Sequence, residues 1–210
     1  MKILLHPTYF PSIAHFIAIV QNEVCWEVED NYQKQTYRNR CYICTDQGKH
    51  MLSIPIKHVG GLQGRQKYKE VVLDNSYNWQ RQHWRTLQTA YRTSPFFEFY
   101  EDEIAQLYVN TFESLIEFNL QSIQTICDCL QIEFPTAQTT QYEKTTDDSK
   151  DARFLVKAKN ELAIDQEPYV QVFNDRHGFV RNTSTLDLLF NEGTNALNYL
   201  QQQNSGFLDV

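Results

Sequence analysis

Along residues 1–20 the apolar positions change their period. Ile3, Leu4 and Leu5 form a short continuous run, as a buried strand does, and Ile13, Phe16, Ile17 and Val20 then recur at helical spacing. Between them lies His6-Pro7-Thr8-Tyr9-Phe10-Pro11-Ser12, where two prolines hold the backbone extended and restrict the residues before them. Ser12 is placed to cap the helix. Residues 24–28 read as a second strand, so the chain opens with a strand–loop–helix–strand unit. In open α/β sheets ligands sit beyond the carboxyl ends of the strands. That puts His6 and Tyr9 in a crevice, beside a helix N-terminus whose free N–H groups favour anions.

Further on, residues 37–45 alternate and are rich in strand formers, residues 46–49 read as a turn, and residues 50–56 return as the partner strand. Gly60, Gly61 and Gly64 with Arg65, Lys67 and Lys69 predict a flexible basic loop, and residues 71–73 a short strand. Helices then dominate. Trp79, His83, Leu87 and Tyr91 stack at i, i+4 spacing within residues 78–92. Phe96, Phe97 and Phe99 make an aromatic joint, and residues 102–130 keep helical period with room for one break. Residues 136–148 lack a pattern, 151–162 look helical and 169–173 look like a strand. Ser184, with Asp187 three residues on, opens a last helix by capping-box logic, and Gly193 closes it. Asp187 as an acid/base partner of His6 is the alternative to that cap. The pattern predicts an α/β fold, with residues 1–210 as a single domain whose mixed sheet is flanked by helices.

Charge sharpens this picture. The net charge of −7 excludes a generally basic nucleic-acid binder. Residues 31–92 nevertheless carry eleven Lys and Arg against Asp46, Glu70 and Asp74, a net of +8, so the rest of the chain carries −15. A positive patch within an acidic protein suits a small anion better than a DNA backbone, and no nucleic-acid partner is expected. The first twenty residues hold Lys2 as their only basic residue and lack a small-residue cleavage site, unlike a signal peptide. No later apolar run is long enough for a membrane span. Five cysteines on a chain of this size point to free thiols and a cytoplasmic location.

Candidate chemistry is sparse. Cys41-x-x-Cys44 lies in a strand pattern that sends the two sulfurs to opposite faces, and Cys127 and Cys129 do not converge on a helix, so no metal site is signalled. His6, a polar ring just past a strand end, is the candidate general acid/base, against simple hydrogen bonding to its loop. His83 reads equally as a satisfied core histidine or as a pocket residue. Arg38 and Arg40 flank Asn39 on a strand pattern, which sends both guanidinium groups to one face where they can grip carboxylate or phosphate. The plainer alternative is pairing with Glu27, Glu29 or Asp30. The hairpin 37–56 and the loop after the first strand are expected to face one cleft. Phosphate-loop, dinucleotide and α/β-hydrolase glycine motifs are missing, and the cofactor is unknown.

Several segments together resemble the WbqC-like protein family. LHPTYFPS is similar to its H-Q-P-x-Y-x-P-W signature, TYRNRCYI to its R-N-R segment and HMLSIPI to its L-x-x-P strand. NWQRQHWRTLQTAYRTSPFFEFY is similar to N-W-x-x-x-H … Y-x-x-x-P-F-F-x-x-Y, and residues 178–193 to the S-x-x-D-L-L-F-N-x-G terminus. The chain departs from the signature where Gln would stand between His6 and Pro7, and where Ser12 replaces Trp. The resemblance implies a cytoplasmic protein of surface polysaccharide or natural-product assembly. Combined with the residues, it suggests a transferase-like enzyme acting on a small anionic substrate, a nucleotide sugar or an acyl carrier. His6 would be the acid/base, Arg38, Asn39 and Arg40 would hold the anion, and Tyr9, Trp79 and His83 would shape the pocket. The rival is a non-catalytic binding or assembly protein that uses the same basic face.

Overall fold

A computed structural model describes residues 1–57, 66–146, 148–159 and 162–209. The chain runs β1 (Lys2–Leu5), α1 (Ile13–Gln21), β2 (Glu23–Trp26), β3 (Arg40–Thr45), β4 (Gly48–Ser53), α2 (Trp79–Tyr91), α3 (Phe97–Val109) and α4 (Leu115–Leu130). It continues through β5 (Lys150–Asp151), the single turn α5 (Asn174–His177), α6 (Thr185–Glu192) and α7 (Ala196–Gln202). The α/β class holds. Its parallel and antiparallel strands lie in two small sheets, β2-β1-β5 and β3-β4.

The first sheet is parallel throughout, with Leu5 opposite Trp26 and Leu4 opposite Asp151. Parallel strands need a crossover, and α1 supplies it between β1 and β2. β1 is central and its side chains Ile3, Leu4 and Leu5 are buried, as its unbroken apolar run requires. The β3–β4 hairpin turns through Asp46-Gln47, since Thr45 already pairs with Gly48. Gly48 has φ +88, a conformation a side chain would disfavour. All five cysteines are free thiols. One hydrophobic cluster reaches from Ile3 to Leu208.

The long helical run takes the one break its pattern allowed, at residues 110–114, where Ser114 accepts the backbone N–H of Glu117 and starts α4. Other expectations shift. Residues 71–73 make only isolated bridges, Leu73 to Ile56 and Val72 to Ser114. The segment from residue 151 is not helical at its start: β5 ends at Asp151 and a 3₁₀ turn, Arg153–Val156, follows. The Ala152 N–H continues the sheet by donating to the Leu4 carbonyl. Residues 169–173 form no ladder, because Gln171 bonds Val180 through its amide side chain instead. The loop around Gly60, Gly61, Gly64 and Arg65 lies outside the described residues.

The N-terminus of α1 is not free for an anion, contrary to expectation. The Ile13 N–H donates to the Thr183 carbonyl and the Ala14 N–H to Asn182 Oδ1, while Ser12 Oγ bonds the His15 ring. The C-terminal segment has taken these donors, because a buried helix end must find partners. No helix among the described residues is long and apolar enough to cross a membrane.

Candidate functional site at the carboxyl ends of the parallel strands

Three parallel strands end on one edge of the sheet, and each delivers ionisable residues there. His6 follows β1, Glu27 and Asp30 follow β2, and Arg153 follows β5. Arg38 arrives from the turn before β3. Its Nη2 lies 2.9 Å from Asp30 Oδ2 and 2.7 Å from His6 Nε2, and His6 Nε2 lies 3.0 Å from the same Asp30 oxygen. One proton on Nε2 cannot satisfy all three edges of this triangle. Either Nε2–H donates to Asp30, or bare Nε2 accepts from Arg38.

Burial is the governing force. His6 is 3% exposed and Arg38 0%. Loss of solvent lowers His6 to about 4, with the Asp30 hydrogen bond opposing and the Arg38 charge adding to the fall. Burial alone would raise Asp30, but the His6 hydrogen bond and the His6 and Arg38 charges outweigh it, so its carboxyl sits below the ordinary value. At neutral pH the centre is therefore an uncharged imidazole against a carboxylate–guanidinium pair.

The surrounding residues fix this geometry. Glu27 Oε1 accepts the backbone N–H groups of Glu29 and Asp30, which folds the chain after β2 back on itself. Arg153 Nη1 approaches Glu27 Oε2 at 3.4 Å and also binds the Glu143 carbonyl. Asn119, on α4, donates from Nδ2 to the Arg38 carbonyl and to Tyr68 Oη, and Tyr68 donates to the Pro7 carbonyl. The Arg38 Cζ sits 5.3 Å from the Tyr68 ring centroid. Phe10, in the loop after β1, has φ +36, a strained value for a bulky residue.

Among the described residues, several buried side-chain polar atoms lack a hydrogen-bond partner: His6 Nδ1 and Arg38 Nε and Nη1 in the triangle, Asn119 Oδ1 beside it, Asn39 Oδ1 and Arg40 Nε on the residues that follow Arg38, and Thr8 Oγ1 and His15 Nε2 in the first loop and α1. Buried polar groups are ordinarily bonded, so the unpartnered atoms of His6 and Arg38 single out the triangle as the candidate site.

Arg38 and Arg40 do not share a strand face. β3 begins only at Arg40, because Thr36 Oγ1 accepts from the Arg38 N–H and turns the chain before the ladder starts. Arg38 points inward to Asp30, one of the partners its plainer reading named. Asn39 and Arg40 instead line a neighbouring cleft of about 460 Å³ with Tyr32 and Tyr77. Tyr9, Trp79 and His83 form a separate aromatic cluster. Tyr9 Oη bonds His83 Nδ1 at 2.9 Å and Tyr108 Oη at 2.7 Å, and Trp79 packs edge-on to His83. His83 is thus a satisfied core histidine, lowered to about 4 chiefly by burial.

Asp187 neither caps α6 nor meets His6. Ser184 Oγ accepts from the Leu186 N–H instead. The Asp187 carboxylate is fully buried and accepts from Tyr91, Tyr169 and Gln171. Burial raises its pKa against the pull of those bonds.

Asp30, Glu27, Arg153 and Asn119 were not singled out as site residues. Asn119 left a signal: it falls between Leu115 and Ile123 on the apolar stripe of α4, a core position given to an amide. Arg153 left none, since residues 151–162 read as a helix and nothing in them marked the end of a strand.

These features define an α/β protein with a buried ionic centre at the carboxyl ends of parallel strands. Residues 6–166 match the WbqC-like protein family, and the chain belongs to that family. It is also 27% identical over 226 residues to "Uncharacterized protein Rv1507c" of Mycobacterium tuberculosis, an alignment covering 94% of this chain and 96% of the relative. No solved structure matches it.

Proposed function

We propose that the chain is a transferase-like enzyme acting on the activated, anionic group of a nucleotide sugar or an acyl carrier, in surface polysaccharide or natural-product assembly. One observation carries this reading: Arg38, wholly buried, keeps Nε and Nη1 unpartnered beside His6, whose Nδ1 is also unpartnered. A buried guanidinium with spare donors suits a carboxylate or phosphate.

With Nε2–H on Asp30, His6 presents the Nδ1 lone pair to an incoming hydroxyl or amine and takes its proton, and the Asp30 carboxylate steadies the imidazolium. Arg38 opposes that charge. An anion on Arg38 cancels the opposition, so the substrate that binds also makes His6 a better base. Asn39 and Arg40 extend the polar surface, while Tyr9, Trp79 and His83 hold the loop that carries His6. The burial of His6 favours a second reading, a binding protein without turnover.

Thermal shifts with nucleotide sugars and pantetheine thioesters test the proposal, with products followed by mass spectrometry. A true ligand at 100 times its Kd should add about 2.7 kcal/mol of stability. Arg38→Gln should abolish that shift, and His6→Asn should bind the ligand but yield no product. NMR titration of His6 should show its pKa rising when the anion binds, which reads the site even if Arg38→Gln folds poorly. A His6 pKa indifferent to every ligand that binds would overturn the assignment. Unchanged turnover in His6→Asn would remove His6 from the chemistry, and tight binding with no turnover in the native protein would leave the binding-protein reading.

A further inference from the structure

The cleft next to the ionic centre has its own chemistry. Residues 38, 39 and 40 are consecutive, so one short stretch of backbone serves both places. Tyr32 stands between them: its phenol feels the charge of both Arg38 and Arg40, and its ring lies 6.3 Å from that of Tyr68, beneath Arg38. Within the cleft, Asn39 is 9% exposed. Its Nδ2 is held by the Ile54 carbonyl at 3.0 Å, which fixes the amide and leaves Oδ1 buried without a partner. Arg40 Nε is buried and unpartnered too. A fixed acceptor and a donor thus stand on adjacent residues.

The remaining walls are specific in kind. Tyr32 and Tyr77 supply aromatic faces, Arg40 and Lys34 supply positive charge, and Asp74 supplies a carboxylate. Asp74 is held by the Ser76 N–H and hydroxyl, which keep its carboxyl below the ordinary value, so it is ionised at neutral pH. Tyr77 is 64% exposed, so its ring is open to a molecule in the cleft. The volume of about 460 Å³ falls in the range of small-molecule sites.

We infer that this cleft holds the nucleoside diphosphate part of the activated donor, with the ring against Tyr32 and Tyr77 and the diphosphate at Lys34 and Arg40, running toward Arg38. Each feature has its counterpart in that ligand. A base offers a flat face to the tyrosines and an edge of donors and acceptors to Asn39 and Arg40. A ribose diol offers two hydroxyl donors to Asp74. Two phosphates match the cations. A phosphopantetheine arm has neither ring nor diol and would leave the tyrosines and Asp74 without a role. This inference rests on the anion-binding reading above and narrows it to one donor class.

Isothermal titration with UDP, GDP, ADP, pyrophosphate and a pantetheine phosphate tests it on the native protein and on Tyr77→Ala. Because Tyr77 is exposed, that variant should fold. At least one nucleoside diphosphate should bind ten times more tightly than pyrophosphate. Tyr77→Ala should weaken it by about tenfold, the effect of losing one stacking ring, and leave pyrophosphate unchanged. Equal binding of nucleotides and pyrophosphate, or nucleotide binding indifferent to Tyr77→Ala, would overturn the nucleotide cleft while leaving an anion at Arg38. Preferred binding of the pantetheine phosphate would do the same and select the acyl carrier. Failure of every anion, pyrophosphate included, would overturn both readings together.

Discussion

Asp187→Asn separates a local role from a tertiary one. As a helix cap, Asp187 would be worth only about 0.5–1 kcal/mol. The structure demands more. Asp187 Oδ1 accepts from Tyr169 at 2.6 Å and Gln171 at 2.9 Å, and Oδ2 accepts from Tyr91 at 2.8 Å. Tyr91 Oη already accepts the Cys44 N–H at 3.1 Å. An amide in place of Oδ2 therefore meets a hydroxyl whose own proton has lost its acceptor. One stranded buried donor, with two charge-assisted bonds reduced to neutral ones, should cost about 2–4 kcal/mol. For a chain of this length that corresponds to a fall in Tm of about 4–16 °C. Urea unfolding followed by circular dichroism and tryptophan fluorescence measures it. Pyrophosphate affinity should not change, since none of the Asp187 hydrogen-bond partners belongs to the ionic triangle. A loss under about 1 kcal/mol would refute the reasoning and restore the cap.

Two further outcomes follow from other buried groups. His6, His15 and His83 fall from 6.5 to about 4, 3 and 4, each chiefly through burial, so the unfolded chain binds more protons between those values. Their contribution is complete above pH 6.5 and is lost as pH falls toward 4; a stability measured by urea titration that stays flat across that window would contradict it. Asp187, which burial raises, pulls the other way, one carboxyl against three imidazoles. Gly193→Ala should destabilise by at least about 2 kcal/mol, because φ is +54 and the new Cβ would lie 2.4 Å from Phe96 Cδ1; a Tm within 2 °C of the parent, by about the same conversion, would show that Phe96 moves aside.

The sequence by itself determined the elements whose cause is local. The apolar run of Ile3–Leu5, the prolines around Tyr9 and the i, i+4 stripe of α2 each specify a conformation through nearest neighbours, and the strand–loop–helix–strand opening follows from them. It also placed His6 at a strand end, since the change of period marks that end directly. Tertiary structure alone decided what each polar group meets. The start of α1 lost its N–H groups to residues 182 and 183, Asp187 turned from the backbone to Tyr91 and Tyr169, and Arg38 left the strand pattern to meet Asp30. Each of these partners lies far along the chain or beyond a turn, and the energy that selects it comes from removing charges and dipoles from water. Burial is a property of the packed molecule. Periodicity reports which face of an element is apolar, but the partner that a buried polar group finds depends on which distant segment closes over it.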